Sequence, residues 1–151
     1  MRHIILLLTI VIALVISGCQ NEENTSEQPE TNGGEKVSEE VEFETVQMNN
    51  APQDIQTTLQ QKWLEKSTFT VPSGDHLYII ITRGEMPTGG YSITIDSISK
   101  EDNKLLVKYY TTDPKKDEMV TQAITKPFTI AKIDHTNARI NFQEIKKSSL
   151  Q

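Results

Sequence analysis

The chain of 151 residues carries 15 lysines and arginines against 21 aspartates and glutamates, a formal net charge of -6, and 36% of it is hydrophobic. That is enough apolar material for one core, and the acidic balance gives no support to nucleic-acid binding. A lone cysteine excludes an intrachain disulfide, so the folded part must be stable on packing alone.

Met1, Arg2 and His3 precede an apolar run from Ile4 to Ile16 that is broken only by Thr9. A basic start followed by a short apolar stretch is the layout of a secretory signal, and the run is shorter than the roughly 20 residues that span a bilayer core. Ile16-Ser17-Gly18-Cys19 follows and resembles the bacterial lipobox, in which small residues let the chain lie extended in the signal peptidase and the thiol receives the lipid. Residues 1–18 are therefore expected to be a lipoprotein signal peptide, cut between Gly18 and Cys19. Acyl chains of the palmitate type on Cys19 would then hold the protein on the extracytoplasmic face of the cell membrane, since two chains anchor durably where one does not.

Residues 19–40 come next as lipidated cysteine and linker. Between Gln20 and Glu40 there is no aromatic residue, Val37 is the only large aliphatic, and seven glutamates face Lys36 alone. Such a segment buries too little apolar surface to offset its chain entropy and reads as a disordered acidic tether, kept extended by its like charges. From Gln47 onward 13 basic side chains meet 12 acidic ones, so the acidity of the chain belongs to the tether.

Residues 41–148 read as a single β-rich domain. Val41 to Val46 is the first expected strand, with Val41, Phe43 and Thr45 alternating against acids. A short helix follows, capped by Asn50, with Pro52 in its first turn and Gln53 placed as in a capping box. Ile55, Leu59 and Trp63 recur every four residues and form a stripe for packing on a sheet. The period then changes to two. His76 to Thr82, Tyr91 to Ile98, Lys104 to Thr111, Phe128 to Ile133 and Ala138 to Ile145 read as strands, joined in part by the polar turns Glu101-Asp102-Asn103 and Asp134-His135-Thr136-Asn137. Strands at this spacing predict a mainly β fold, an antiparallel β-sandwich or open barrel with one packed α-helix.

The inventory for catalysis is thin. Beyond the leader the histidines are His76 and His135, neither in a metal-ligand spacing, and no phosphate-binding glycine loop or Gly-x-Ser-x-Gly elbow occurs. Asp113, Asp117 and Glu118 lie in a lysine-rich loop, where solvated charge is the simpler reading. The sequence thus points to a non-enzyme with no metal and no cofactor.

One connection stands out. Met86-Pro87-Thr88-Gly89-Gly90 joins two strands, Pro87 sets its φ, and either glycine can take a positive φ without steric cost. The order Gly-x-x-Pro-Thr-Gly-Gly-Tyr-x-Ile-x-Ile, from Gly84 to Ile95, resembles the C-terminal domain of the PrcB family, small exported subunits of bacterial protease complexes. Further landmarks agree in order: Asn103 to Val107, a loop with Pro114, and Val120-Thr121-Gln122-Ala123-Ile124-Thr125-Lys126-Pro127-Phe128. The likeness runs from about Leu77 to Phe142, and Phe128 stands where tyrosine is commoner in the family.

This resemblance implies a non-catalytic domain that binds or stabilises a partner protein, a secreted protease being the natural candidate. Pro87 to Tyr91 also looks like the Asn-Pro-Thr-Thr-Gly-Tyr loop of chagasin-type cysteine protease inhibitors, although their Arg-Pro-Trp loop has no counterpart here. Inhibition is the alternative reading, and a structural envelope protein without a protease partner is a third. The expected contact set is Pro87, Thr88, Gly89, Gly90 and Tyr91, with Thr121, Gln122 and Ala123 alongside. The same two segments would equally serve as a clasp that closes the domain on itself.

Overall fold

The computed structural model describes residues 38–147; the leader, the lipobox with Cys19, and the acidic segment as far as Val37 lie outside them. The elements in chain order are β1 (Glu39–Glu40), β2 (Glu44–Thr45), a 3-10 turn (Met48–Asn50), α1 (Gln53–Lys62), β3 (Lys66–Ser73), β4 (His76–Arg83), β5 (Ser92–Glu101), β6 (Lys104–Thr112), β7 (Phe128–Asp134) and β8 (Arg139–Glu144). They form two four-stranded sheets, β1-β5-β6-β8 and β2-β7-β4-β3. The architecture is a mainly β sandwich with one helix, as the strand pattern predicts.

The core has two layers because β4 is buried on both faces. Leu77, Ile79 and Ile81 point between the sheets and meet Ile93, Ile95, Ile98, Leu105, Val107 and Tyr109. Tyr78 and Ile80 point the other way and pack with Ile130 against Ile55 and Leu59 of α1. A strand covered on both sides has no need for polar residues at alternate positions, which is why this stretch reads as a continuous apolar run. Thr82 is the exception at its end. It is 1% exposed, and its hydroxyl donates to the Glu65 carbonyl at 2.7 Å, which removes the cost of burying it.

The stripe on α1 behaves as its spacing predicts: Ile55 and Leu59 are fully buried and Trp63 packs beside them. The start of the helix differs. Asn50 ends the 3-10 turn and does not cap α1; Pro52 holds the N-cap position without a side-chain cap, and Gln53 is the first helical residue. Asp54 in the first turn faces the positive end of the helix dipole.

Four further features depart from the sequence reading. Val41 to Val46 is not one strand but a crossing: β1 pairs with β5, β2 pairs with β7, and Val41 and Phe43 pack on the core between them. β1 itself occupies the last two residues of the expected tether, Glu39 pairing with Lys100 and Glu40 with Ser99. β3 was not expected, although Thr68-Phe69-Thr70-Val71 is β-prone; it pairs along its whole length with β4 and carries Pro72, which an edge strand tolerates because its outer side needs no N–H. Finally, β8 lies parallel to β6, where antiparallel pairing throughout was expected, because the chain crosses from β7 in one sheet to the far edge of the other.

A β-bulge explains the pattern in β5. Ile95 and Ile98 both face the core although three apart, because the register shifts between Ile95 and Ser97 and leaves Asp96 as the extra residue.

Candidate functional site

β4 and β7 belong to one sheet, β5 and β6 to the other. The chain must therefore cross the same end of the sandwich twice, once from Arg83 to Ser92 and again from Thr112 to Phe128. The two crossings run side by side and bond to each other. Met86 and Thr125 exchange both backbone bonds, at 2.9 and 3.0 Å, and the Gly89 N–H donates to the Thr121 carbonyl at 2.9 Å. Thr125 Oγ1 adds a bond to the Thr88 carbonyl at 2.7 Å.

Glycine is required at two points of the first crossing. Gly84 has φ +81, and a Cβ there would stand 3.2 Å from the Leu64 carbonyl oxygen and the Lys66 nitrogen. Gly90 has φ +85, and its Cβ would stand 2.8 Å from carbons of both Pro114 and Val120. A side chain at Gly90 would therefore push the second crossing away from the first. Gly89 has ordinary room, its virtual Cβ 3.4 Å from Thr121.

Arg83 locks the base of this arrangement. Its N–H donates to the Pro127 carbonyl at 2.9 Å, and its Nη1 donates to the Thr112 carbonyl at 2.8 Å and, more weakly, to that of Ser92. Nη2 pairs with the Asp113 carboxylate, and the guanidinium lies 4.9 Å from the centre of the Tyr91 ring. One half-buried cation thus ties together the ends of β4, β5 and β6. Lys126 does similar work beside it, 5.1 Å from the Trp63 ring centre and 3.8 Å from Glu85.

Of the expected contact residues, the structure brings Thr88, Gly89 and Gly90 against the second crossing, with Thr121 directly on Gly89. Tyr91 sits half-buried under Arg83. Pro87, Gln122 and Ala123 are exposed, and the Gln122 amide bonds only locally, to the Val120 carbonyl at 3.3 Å. The two segments do form a clasp. Arg83, which helps hold it shut, and Met119, which it displays, were not marked by the sequence, and Thr125 and Ile124 stood there only as members of the Val120 to Phe128 landmark, with no contact role. Arg83 had a weak signal, a cation ending an otherwise apolar strand.

Met119 is 100% exposed, Ile124 69% and Leu64 53%, and these are the large hydrophobic side chains that the described residues leave in solvent. All three are at this end: Ile124 precedes Thr125, Met119 precedes Val120, and the Leu64 carbonyl abuts Gly84.

With both crossings in place, the comparison with known families is decisive for one stretch. Residues 77–134 match the PrcB C-terminal domain family. The PrcB C-terminal match runs from β4 through β7, so it contains both crossings and the clasp, and it leaves α1, β3 and β8 outside. No curated protein and no solved structure matches the chain.

The opposite end of the sandwich holds an open cleft of about 640 Å³, lined among others by Glu39, Glu42, His76, Lys100, Asp134 and His135. Among the described residues no group of three or more histidines, cysteines or carboxylates is placed to hold a metal ion. One ion pair instead links the edges of the two sheets. Lys66 on the edge of one sheet reaches Glu144 on the edge of the other at 2.8 Å. The bond from Lys66 lowers the Glu144 pKa, helped by the Thr111 hydroxyl, and the bond to Glu144 raises that of Lys66.

Proposed function

We propose that this chain is a non-catalytic lipoprotein, anchored through Cys19 on the extracytoplasmic face of the cell membrane, whose β-domain binds or stabilises a partner protein, a secreted protease. The observation that carries the reading is the gathering of Met119, Ile124 and Leu64 at the clasped end. Single apolar side chains in solvent are ordinary; here Met119 and Ile124 on the second crossing and Leu64 just before β3 share one end of the sandwich, and the reading takes that end as the contact surface. The class of partner comes from the PrcB resemblance, and the anchor comes from the Ile16-Ser17-Gly18-Cys19 motif. The reading requires neither metal nor cofactor.

In this reading the clasp is the support of the contact surface. Thr88, Gly89 and Gly90 hold the second crossing at a fixed height, and Pro87, Gln122, Ala123 and Ile124 face the partner.

The test is capture by crosslinking in native membranes, with the full chain on its own anchor as bait and mass spectrometry as readout. Enrichment of a protease over an untagged control supports the proposal. An activity assay on that pair then separates a stabilising subunit, which leaves activity intact or raised, from an inhibitor, which abolishes it. Recovery of wall or envelope proteins alone would replace this reading with that of a structural envelope protein.

A further inference from the structure

We infer that Glu118-Met119-Val120 is a substrate-like segment, and that Met119 is the side chain it offers to the apolar primary pocket of an endopeptidase. The inference rests on the protease reading and names the part of the surface that enters the partner.

The geometry is that of a free tip between two fixed arms. On the N-terminal side Asp113 is paired with Arg83 and Pro114 packs at Gly90. A tight turn follows, in which the Glu118 N–H donates to the Lys115 carbonyl at 3.0 Å and the Glu118 carboxylate accepts the Lys115 N–H at 2.9 Å. On the C-terminal side Val120 wedges at Gly90 and the Thr121 carbonyl accepts the Gly89 N–H. Between these arms the Met119 side chain is wholly in solvent, and among the described residues neither its N–H nor its carbonyl takes part in a hydrogen bond.

Endopeptidases hold an extended segment by its main-chain amides and place one side chain in a pocket. Met119 has both kinds of group unengaged. Burying its side chain would strengthen binding by about ten- to a hundredfold. The fixed arms reduce the ordering cost that a loose loop would meet on binding. Met is unbranched and flexible, so the pocket it fits is deep and apolar. The charged neighbours Lys115, Lys116, Asp117 and Glu118 are all exposed and leave no second apolar side chain competing for that pocket on the tip.

The experiment uses the full chain in detergent micelles against two probe proteases, subtilisin, whose pocket is apolar and broad, and chymotrypsin, whose pocket prefers aromatic rings. The expected result is saturable competition with a small chromogenic substrate of subtilisin, weakened about tenfold or more by M119D, since a carboxylate cannot be desolvated there. M119F should gain about tenfold against chymotrypsin. Any hydrolysis should break the Met119–Val120 amide, water supplying the hydroxyl to the Met119 acyl carbon and a proton to the Val120 nitrogen, more slowly than in the urea-unfolded chain. Competition unchanged by M119D, no competition at all, or cutting as fast as in the unfolded chain would overturn the inference. If M119D still captures a protease from native membranes, the partner reading stands and Met119 has no part in it.

Discussion

Thr125 donates its hydroxyl to the Thr88 carbonyl at 2.7 Å, a bond that spans 37 residues of sequence and fastens the middle of the first crossing to the last turn of the second. Thr125→Val keeps the shape and removes the donor, leaving a half-buried carbonyl without its partner. Stability should fall by about 1 kcal/mol, and Thr125→Ser should restore most of it. Urea unfolding of the two variants checks this.

Gly90 and Gly74 both have positive φ, at +85 and +59, but only Gly90 is crowded. Gly74→Ala meets open space and should cost about 1 kcal/mol from backbone conformation alone. Gly90→Ala adds contacts at 2.8 Å with Pro114 and Val120, so it should cost about 1–3 kcal/mol more and loosen the second crossing. Thermal melts rank the pair, and faster proteolysis between Asp113 and Thr121 in the Gly90 variant would show where the fold has opened.

The Arg83 side chain is 13% exposed whereas that of Asp113 is 70% exposed. The ion pair is therefore the lesser part of what Arg83 does. Asp113→Asn should change stability by less than about 1 kcal/mol. Arg83→Met, which leaves the Thr112 carbonyl without its donor and removes the cation from Tyr91, should cost about 1–3 kcal/mol. Equal losses in the two variants would contradict this division.

Lys66 and Glu144 join the free edges of the two sheets, and their pKa directions set a pH window. The Glu144 pKa is lowered, so its contribution is present above the ordinary carboxylate value and lost as pH falls through the folded value. The Lys66 pKa is raised, so its contribution is present below the ordinary lysine value and lost as pH rises through the folded value. Both side chains are more than a third exposed, and solvent screening keeps the pair to about 0.2–1 kcal/mol. Glu144→Gln should differ from wild type by that amount near neutral pH and converge with it in acid.

Leu59 is fully buried between α1 and the outer face of β4 and β7. Leu59→Ala should cost about 2–5 kcal/mol, the range for a cavity that cannot collapse onto a sheet. A loss below about 1 kcal/mol in chemical denaturation would mean that α1 is not part of the cooperative unit.

By itself the sequence determined the positions of β4 to β8, where the one helix lies, and which of their side chains face inward. Ile55, Leu59, Ile93, Ile95, Leu105 and Val107 are all in the core as their spacing requires, because burial imposes a period of 3.6 or 2 that a short window reveals. It also marked Gly89 and Gly90 as special, since adjacent glycines before a strand have few uses. Only the tertiary structure decided that β8 runs parallel to β6, that Val41 to Val46 is split between sheets, and that Gly90 is needed to admit Pro114 and Val120. The reason is the same in each case. Pairing partners and close approaches join residues far apart in the chain, and no local period records which distant segment will arrive.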